Sequence, residues 1–342
     1  MLASLDIGAW EDLEHRVVRP DLPVIDAHMH LWSSGVRDYF APEYLKDIAQ
    51  TGHEVLASVH VECATPWGRP GPAALAPVGE TEFVMAQIAA QGDSTHRLAE
   101  GIVGLADFRL GGGIAAVLDG HAATAGRRFK GLRMRASFDP DPQVHYPGPE
   151  YPEGNLFADP NVALATRIAA QRGLTLDILV FHPQLSVFAD WASGFPDAQF
   201  ILNHIGFPAG VGRFSGREAE VFADWRKGLA KVAELPNVAV KLDGIGISRL
   251  GIDPVPDGGL APVLARRWVP YVEEAIDLFD PGRCLYATNA PVDGAVCSMR
   301  SHLNYHKKLL STLSEAEQNS IFGSNAARIY GLERNEIGKA GS

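Results

Sequence analysis

The chain has 342 residues, 46% of them apolar and 8% aromatic, which is enough to bury a large core as one big domain or two ordinary ones and excludes a disordered chain. Its formal net charge is -11, with acids spread along the chain and no basic stripe, so nucleic acid is not an expected partner. Cys63, Cys284 and Cys297 have no C-x-x-C spacing, the opening "MLASLDIGAWEDLEHR" carries acids where a leader peptide needs an apolar run, and no stretch reaches about 18 apolar residues. A reduced, cytoplasmic protein with no membrane partner is the expectation.

In chain order, eight short β-type runs appear: "PVIDAHMH", "VLASVHVEC", "GIVGLADF", "FKGLRMR", "LTLDILVF", "QFILNHI", "NVAVKL" and "RCLYATN". Between them lie helical patterns such as Glu80 to Gln91, Ile114 to Ala125, Pro160 to Arg172, Gln184 to Phe195, Ala219 to Leu235 and Pro262 to Phe279. Strand then helix, eight times over, with no G-x-G-x-x-G after the first strand, predicts an α/β protein of the (β/α)8 TIM-barrel class. The segments after strands are long and rich in Gly and Pro ("ATPWGRPGPAALAPVG", "ASFDPDPQVHYPGPEYPEGN", "GFPAGVGRFSGR", "DGIGISRLGIDPVPDGGLA"), whereas "QRG", "GFPDA" and "ELP" lead back into strands. Elaboration on one side is what a barrel with its active site at the strand C-termini requires. One domain over 23–332 is expected, with tails at 1–22 and 333–342.

The chemistry-bearing residues gather at those strand ends. Alternation along the first strand predicts that Asp26, His28 and His30 share a face, with the two histidines about 7 Å apart. His182 ends strand five and His204 ends strand six, so four histidines fall at one rim. His28, His30 and His182 could supply the three ligands of a catalytic divalent metal, zinc first, and His204 would act as general acid/base; otherwise it is a buried hydrogen-bonding group. Strand eight offers Asn289 where a carboxylate would take a proton from water, and an amide cannot. Asp293 is the nearest carboxylate, either as the base or as the cap of the next helix. Glu62 reads as a ligand, an orienting group or one half of a salt bridge. Arg133 reads as a two-pronged clamp for a substrate carboxylate, or as a bridge within the barrel. Lys241 and Asp243 read as a charge pair or a substrate contact, His60 as a packed group, and Glu80 and Glu82 as first-turn helix acids.

Together "IDAHMHLW", "VHVECA", "PVGETEF", "GIVGLADF", "FKGLRMRASFDPDP", "DILVFHPQL", "FILNHIGFPAGVG", "NVAVKLDGIG", "TNAPVDG" and "FGSNAARIYGL" resemble the amidohydrolase superfamily, in particular the amidohydrolase-2 group. The resemblance implies a metal-dependent TIM-barrel hydrolase in which the H-x-H pair and the strand-five histidine bind the metal, the strand-six histidine meets substrate and a strand-eight Asp activates water. Relatives include lactonases, some of which act without metal, and nonoxidative decarboxylases. Asn289 departs from that pattern and is similar to an S-N-F-P-V-D subgroup. Leu105 and Met134 stand where relatives have polar groups, which predicts a more apolar pocket. The reading that follows is a lactonase acting on a small lactone, with or without a carboxylate, and with self-association into a homo-oligomer left open. The alternatives are a nonoxidative decarboxylase and a non-hydrolytic enzyme or binding protein on a degenerate site.

Overall fold

The structure is a computed structural model that describes residues 16–33, 38–63, 69–92, 94–148, 151–252 and 260–333, with side chains of the last segment described from 267 onward. Eight strands lie in sequence order in one sheet: β1 (Val24–Met29), β2 (Val55–Val61), β3 (Arg97–Leu105), β4 (Phe129–Arg135), β5 (Thr175–Leu179), β6 (Gln199–Leu202), β7 (Val238–Leu242) and β8 (Cys284–Tyr286). Every ladder is parallel. Helices α1 (Ala41–Thr51), α2 (Val78–Ala90), α3 (Ile114–Ala125), α4 (Pro160–Gln171), α5 (Leu185–Ala192), α6 (Glu218–Ala233), α7 (Leu260–Phe279) and α8 (Met299–Leu309) follow the strands in turn. This is the expected (β/α)8 barrel. Helix starts carry their local signals: Asp159 accepts the N–H of Asn161 and Pro160 opens α4.

Strand alternation separates two apolar layers. Inside the barrel, Ile25, Val59, Val61, Val103, Ile201 and Leu285 pack together, and Ala327, Tyr330 and Leu332 of the C-terminal segment join them. A larger layer, which includes Met134, Trp225 and Trp268, lies between strands and helices.

β1 breaks the simple alternation. Asp26 pairs with Ser58 and Met29 with His60, three residues against two, which is a bulge. Asp26 therefore faces the helix layer, taking hydrogen bonds from the hydroxyls of Tyr44 (2.9 Å) and Thr288 (2.6 Å), while His28 faces the interior; the expected common face of Asp26, His28 and His30 is not formed. β1 meets the end of β8 only at the rim, where His30 N–H donates to Ala290 O and Asn289 N–H donates to His28 O, both at 2.8 Å. The barrel thus closes through the residues of chemical interest.

Of the expected tails, 1–15 and 334–342 lie outside the described residues. Residues 16–22 are no loose tail: Val18 N–H donates to Asn304, and the Lys307 ammonium donates to the carbonyls of Arg19 and Leu22. The long loop after β2 is described from residue 69 and that after β7 up to 252. Among the described residues no helix is long and apolar enough to cross a membrane, and no disulfide joins Cys63, Cys284 or Cys297.

Candidate active site

Three imidazoles converge at the rim. The His28 ring centroid lies 4.8 Å from that of His30 and 4.9 Å from that of His204. Asp243, just past β7, reaches two members of this group, His204 and His28. Its Oδ1 accepts the ring Nδ1–H (2.9 Å) and the backbone N–H (3.0 Å) of His204, and its Oδ2 lies 3.2 Å from His28 Nδ1 without the alignment of a hydrogen bond. Burial would raise Asp243, but His204 and His28 outweigh it and hold the carboxyl well below its ordinary range. It is therefore an anion. Burial, with Lys241 beside His28 and Arg133 near His30, pushes both of those histidines well below their usual value, so they are neutral.

Neutral imidazoles with a free ring nitrogen are what a cation needs. His30 donates Nδ1–H to Val61 O at 2.6 Å, which leaves its Nε2 as the lone-pair atom. His28 Nε2 is buried with no partner, a group that costs free energy unless something in the site satisfies it. Ligand atoms of His28, His204 and Asp243 all lie within 4.8 Å of one another. The donor set fits a divalent cation, which those residues would hold with His30 alongside.

His182 does not join this group. It lies three residues beyond the end of β5, where strand alternation no longer aims side chains. Its Nδ1 accepts the N–H of Ala209 (3.2 Å), its ring meets the edge of Phe214, and burial lowers it to about 4. The expected metal role of His182 is corrected to a packed, hydrogen-bonding one. Asp243, read as half of a charge pair with Lys241, supplies the carboxylate instead. Lys241 sits two residues deeper on β7, fully buried, and is paired with Asp177 of β5, to which Tyr330 also donates; its ammonium lies 3.4 Å from His28 Nδ1.

A cavity of about 520 Å³ opens over the cluster, lined by His30, Trp32, Cys63, Arg133, Arg135, Tyr146, Tyr151, His204, Phe207, Asn289 and others. Glu62 is held by both arginines: Arg133 Nε donates to it at 2.6 Å, and Arg135 donates through Nε (2.8 Å) and Nη2 (2.6 Å). Burial opposes ionisation of Glu62, yet Arg133 and Arg135 keep it well below the ordinary carboxylate range. The bridge readings of Glu62 and Arg133 are thus realised, and both guanidinium groups still border the cavity. Arg135 was not singled out from the sequence, although its spacing of two from Arg133 places it on the same strand face. Leu105 and Met134 are not what sets the polarity of this cavity. Neither lines the cavity, and Met134 points into the helix layer between the two inward arginines.

Asp293 does not swing over the cluster as a base. Its carboxylate accepts Gly244 N–H (2.9 Å), Gly246 N–H (3.0 Å) and the Asn289 side-chain amide (2.8 Å), which pins the segment after β8 onto the loop after β7. Burial, and then Asp243, raise it to about 7. Gly246 permits the close approach: a Cβ there would meet Asp293 Cα at 2.3 Å. Glu80 does open α2, but its side chain is buried against Cys63, taking the backbone N–H at 2.7 Å, while Glu82 pairs with Arg69.

A family profile for amidohydrolases matches residues 25–332, and the chain belongs to that family. It is an enzyme fold carrying an enzyme-like site. The chain is 29% identical over 338 residues to an uncharacterized protein y4mH of Sinorhizobium fredii, covering 91% of this chain and 99% of the relative. It is 25% identical over 326 residues to an L-fucono-1,5-lactonase of Burkholderia multivorans, covering 90% and 96%. Among solved structures, a zinc-bound amidohydrolase of Burkholderia multivorans superposes with a TM-score of 0.69 at 23% identity, covering 91% of this chain and 99% of that one. A 5-carboxyvanillate decarboxylase of Sphingomonas paucimobilis shares the fold with a TM-score of 0.57 at 12% identity, covering 91% and 100%.

Proposed function

We propose that the protein opens a small lactone that carries a carboxylate, with zinc as the cation of the His28, His204 and Asp243 cluster. The observation that carries this reading is the pairing, in one cavity, of that cluster with a wall presenting Arg133 and Arg135 and, among the described residues, no lining carboxylate. Likeness to a lactonase along nine-tenths of the chain supports the same reaction. The cation, when bound, would polarise the ester carbonyl and ease deprotonation of water.

The chain's own residues do the rest. Arg133 and Arg135 both bind Glu62, and both guanidinium groups border the cavity, where they would meet a substrate carboxylate. Water attacks the carbonyl carbon, the ring C–O bond breaks, and the proton from water ends on the ring oxygen. With the cation bound, His204 Nε2 would help to hold it; without the cation, its Nδ1–H stays committed to ionised Asp243 and Nε2 is the acceptor that moves the proton. Asn289 takes no part in that transfer.

A panel of neutral and carboxylated lactones, assayed with and without chelator alongside metal content per chain, tests the reading. Ring opening of the carboxylated members, lost in Arg135→Met by about 10²-fold in kcat/KM, is expected from removing a charged contact. Turnover that survives chelation assigns proton transfer to the His204–Asp243 pair alone. No ring opening under any metal condition would sink the reading.

A nonoxidative decarboxylase is the second reading. It is favoured by one feature: Asn289 is an amide and Asp293 is locked by three N–H donors, so strand eight offers no carboxylate free to activate water. Carbon dioxide release without ring opening would select it.

A further inference from the structure

We infer that Asn289 is a specificity residue that accepts a hydrogen bond from a hydroxyl on the carbon next to the substrate's reacting carbonyl, and that Asp293 is the positioning residue that holds it so. The inference rests on the lactone reading for the ring, and on this chain's own geometry for the hydroxyl.

Asn289 is held on every side. It sits at φ 48, its N–H donates to His28 O at 2.8 Å, and its carbonyl accepts Val292 N–H at 2.8 Å. The left-handed backbone is one that Asn tolerates better than most residues. Its side-chain Nδ2 donates to Asp293 Oδ1 at 2.8 Å, the same oxygen that takes Gly246 N–H, while Oδ2 takes Gly244 N–H. Turning the amide over would set its oxygen against Asp293 Oδ1, an oxygen already accepting Gly246 N–H, acceptor against acceptor, so only one orientation is favourable. One Nδ2–H is committed to Asp293, which fixes the amide and makes Oδ1 the acceptor that Asn289 brings to the cavity it lines.

An amide oxygen is an acceptor and not a base at neutral pH. A lactone's carbonyl oxygen, its ring oxygen and a carboxylate are all acceptors too, so none of them satisfies Oδ1. A hydroxyl does. Because Asn289 is bonded through its backbone to His28 and shares the cavity wall with His30 and His204, the donor it meets lies beside the reacting carbonyl. The substrate class is therefore a 2-hydroxy lactone, and the product a 2-hydroxy acid.

The test is calorimetric binding of two ring-opened acids, 2,4-dihydroxybutanoate and 4-hydroxybutanoate, which differ by that one hydroxyl. The wild-type protein should bind the former about 3- to 10-fold tighter, the size of one neutral hydrogen bond. Asn289→Ala should abolish the preference, and Asn289→Gly, which suits the positive φ, should do the same in a backbone free of strain. Asp293→Asn should narrow it, since an amide partner no longer enforces one orientation. Equal affinity of the two acids for the wild-type protein, a preference that survives in Asn289→Gly, no binding of either acid, or loss of bound metal in Asn289→Gly with the preference intact would each overturn the inference. Binding is read without turnover, so failure to open 2-hydroxy-γ-butyrolactone and γ-butyrolactone would count against the lactone reading and not against the role of Asn289.

Discussion

Glu62 and Glu80 are buried carboxylates near the same side of the cavity, and their surroundings push them in opposite directions. Arg133 and Arg135 keep Glu62 ionised, whereas burial, and then the charge of Glu62, raise Glu80 to about 7. A raised acid holds its proton more tightly folded than unfolded. The wild-type protein therefore loses stability from this group as pH rises from its unfolded value through about 7. Glu80→Gln keeps an oxygen for the Cys63 N–H and removes the titration. Its stability relative to wild type should rise by about 1–3 kcal/mol between pH 5 and pH 8, measured by urea unfolding at both. A relative stability that is flat across that range would mean Glu80 ionises as freely folded as unfolded. Side-chain placement, though not role, was legible in the sequence where a residue lies on a strand or is tied down just beyond it. His28 and His30 obeyed that rule, and His204 is anchored by Asp243. His182, just as suggestive in sequence, lies past the end of its strand, where the local turn decides its direction. The depth of Lys241 and Asp243 could not be read from their pattern, because a spacing of two fixes a face and says nothing about which layer of the barrel each residue occupies.

At the scale of elements, the barrel itself was readable because strand-type runs, helical periods and the contrast of long and short loops all repeat with the same alternation. The bulge in β1 was not, since an extra residue leaves the apolar pattern of "VIDAHM" unchanged and shows only in its pairing with β2. The ion pair between Lys241 of β7 and Asp177 of β5 was also hidden, because it spans β6 and depends on barrel closure. Asp177 also receives Asn203 Nδ2 and the Tyr330 hydroxyl, so it ties the C-terminal segment to the barrel floor. Lys241→Met should cost about 3–5 kcal/mol, because it strands a buried carboxylate. Adding Asp177→Asn should recover part of that loss: the amide needs no counter-charge, and its oxygen still accepts from Tyr330. Unfolding of the two single variants and the double variant measures the coupling. A double variant no more stable than Lys241→Met would mean that packing, and not charge, holds these strands together.

For the molecule as a whole, two electrostatic fields act on an anionic substrate. The net charge of -11 repels it at a distance, while Arg133 and Arg135 attract it once it is inside the cavity. Salt separates the two by range. The Debye length falls from about 20 Å near 20 mM to about 7 Å near 200 mM, so the far field is screened while contacts of hydrogen-bond length inside the cavity are little changed. For a carboxylated lactone, kcat/KM should therefore rise about 2- to 3-fold across that range, through faster encounter, and a neutral lactone of the same ring size should show no trend. Arg135→Met should lower kcat/KM for the carboxylated lactone at every salt concentration and leave the slope in place, because the slope belongs to the whole surface and the contact to one wall. A kcat/KM that falls as salt rises would instead mean that the cavity's positive wall projects past the rim and outweighs the charge of the rest of the molecule.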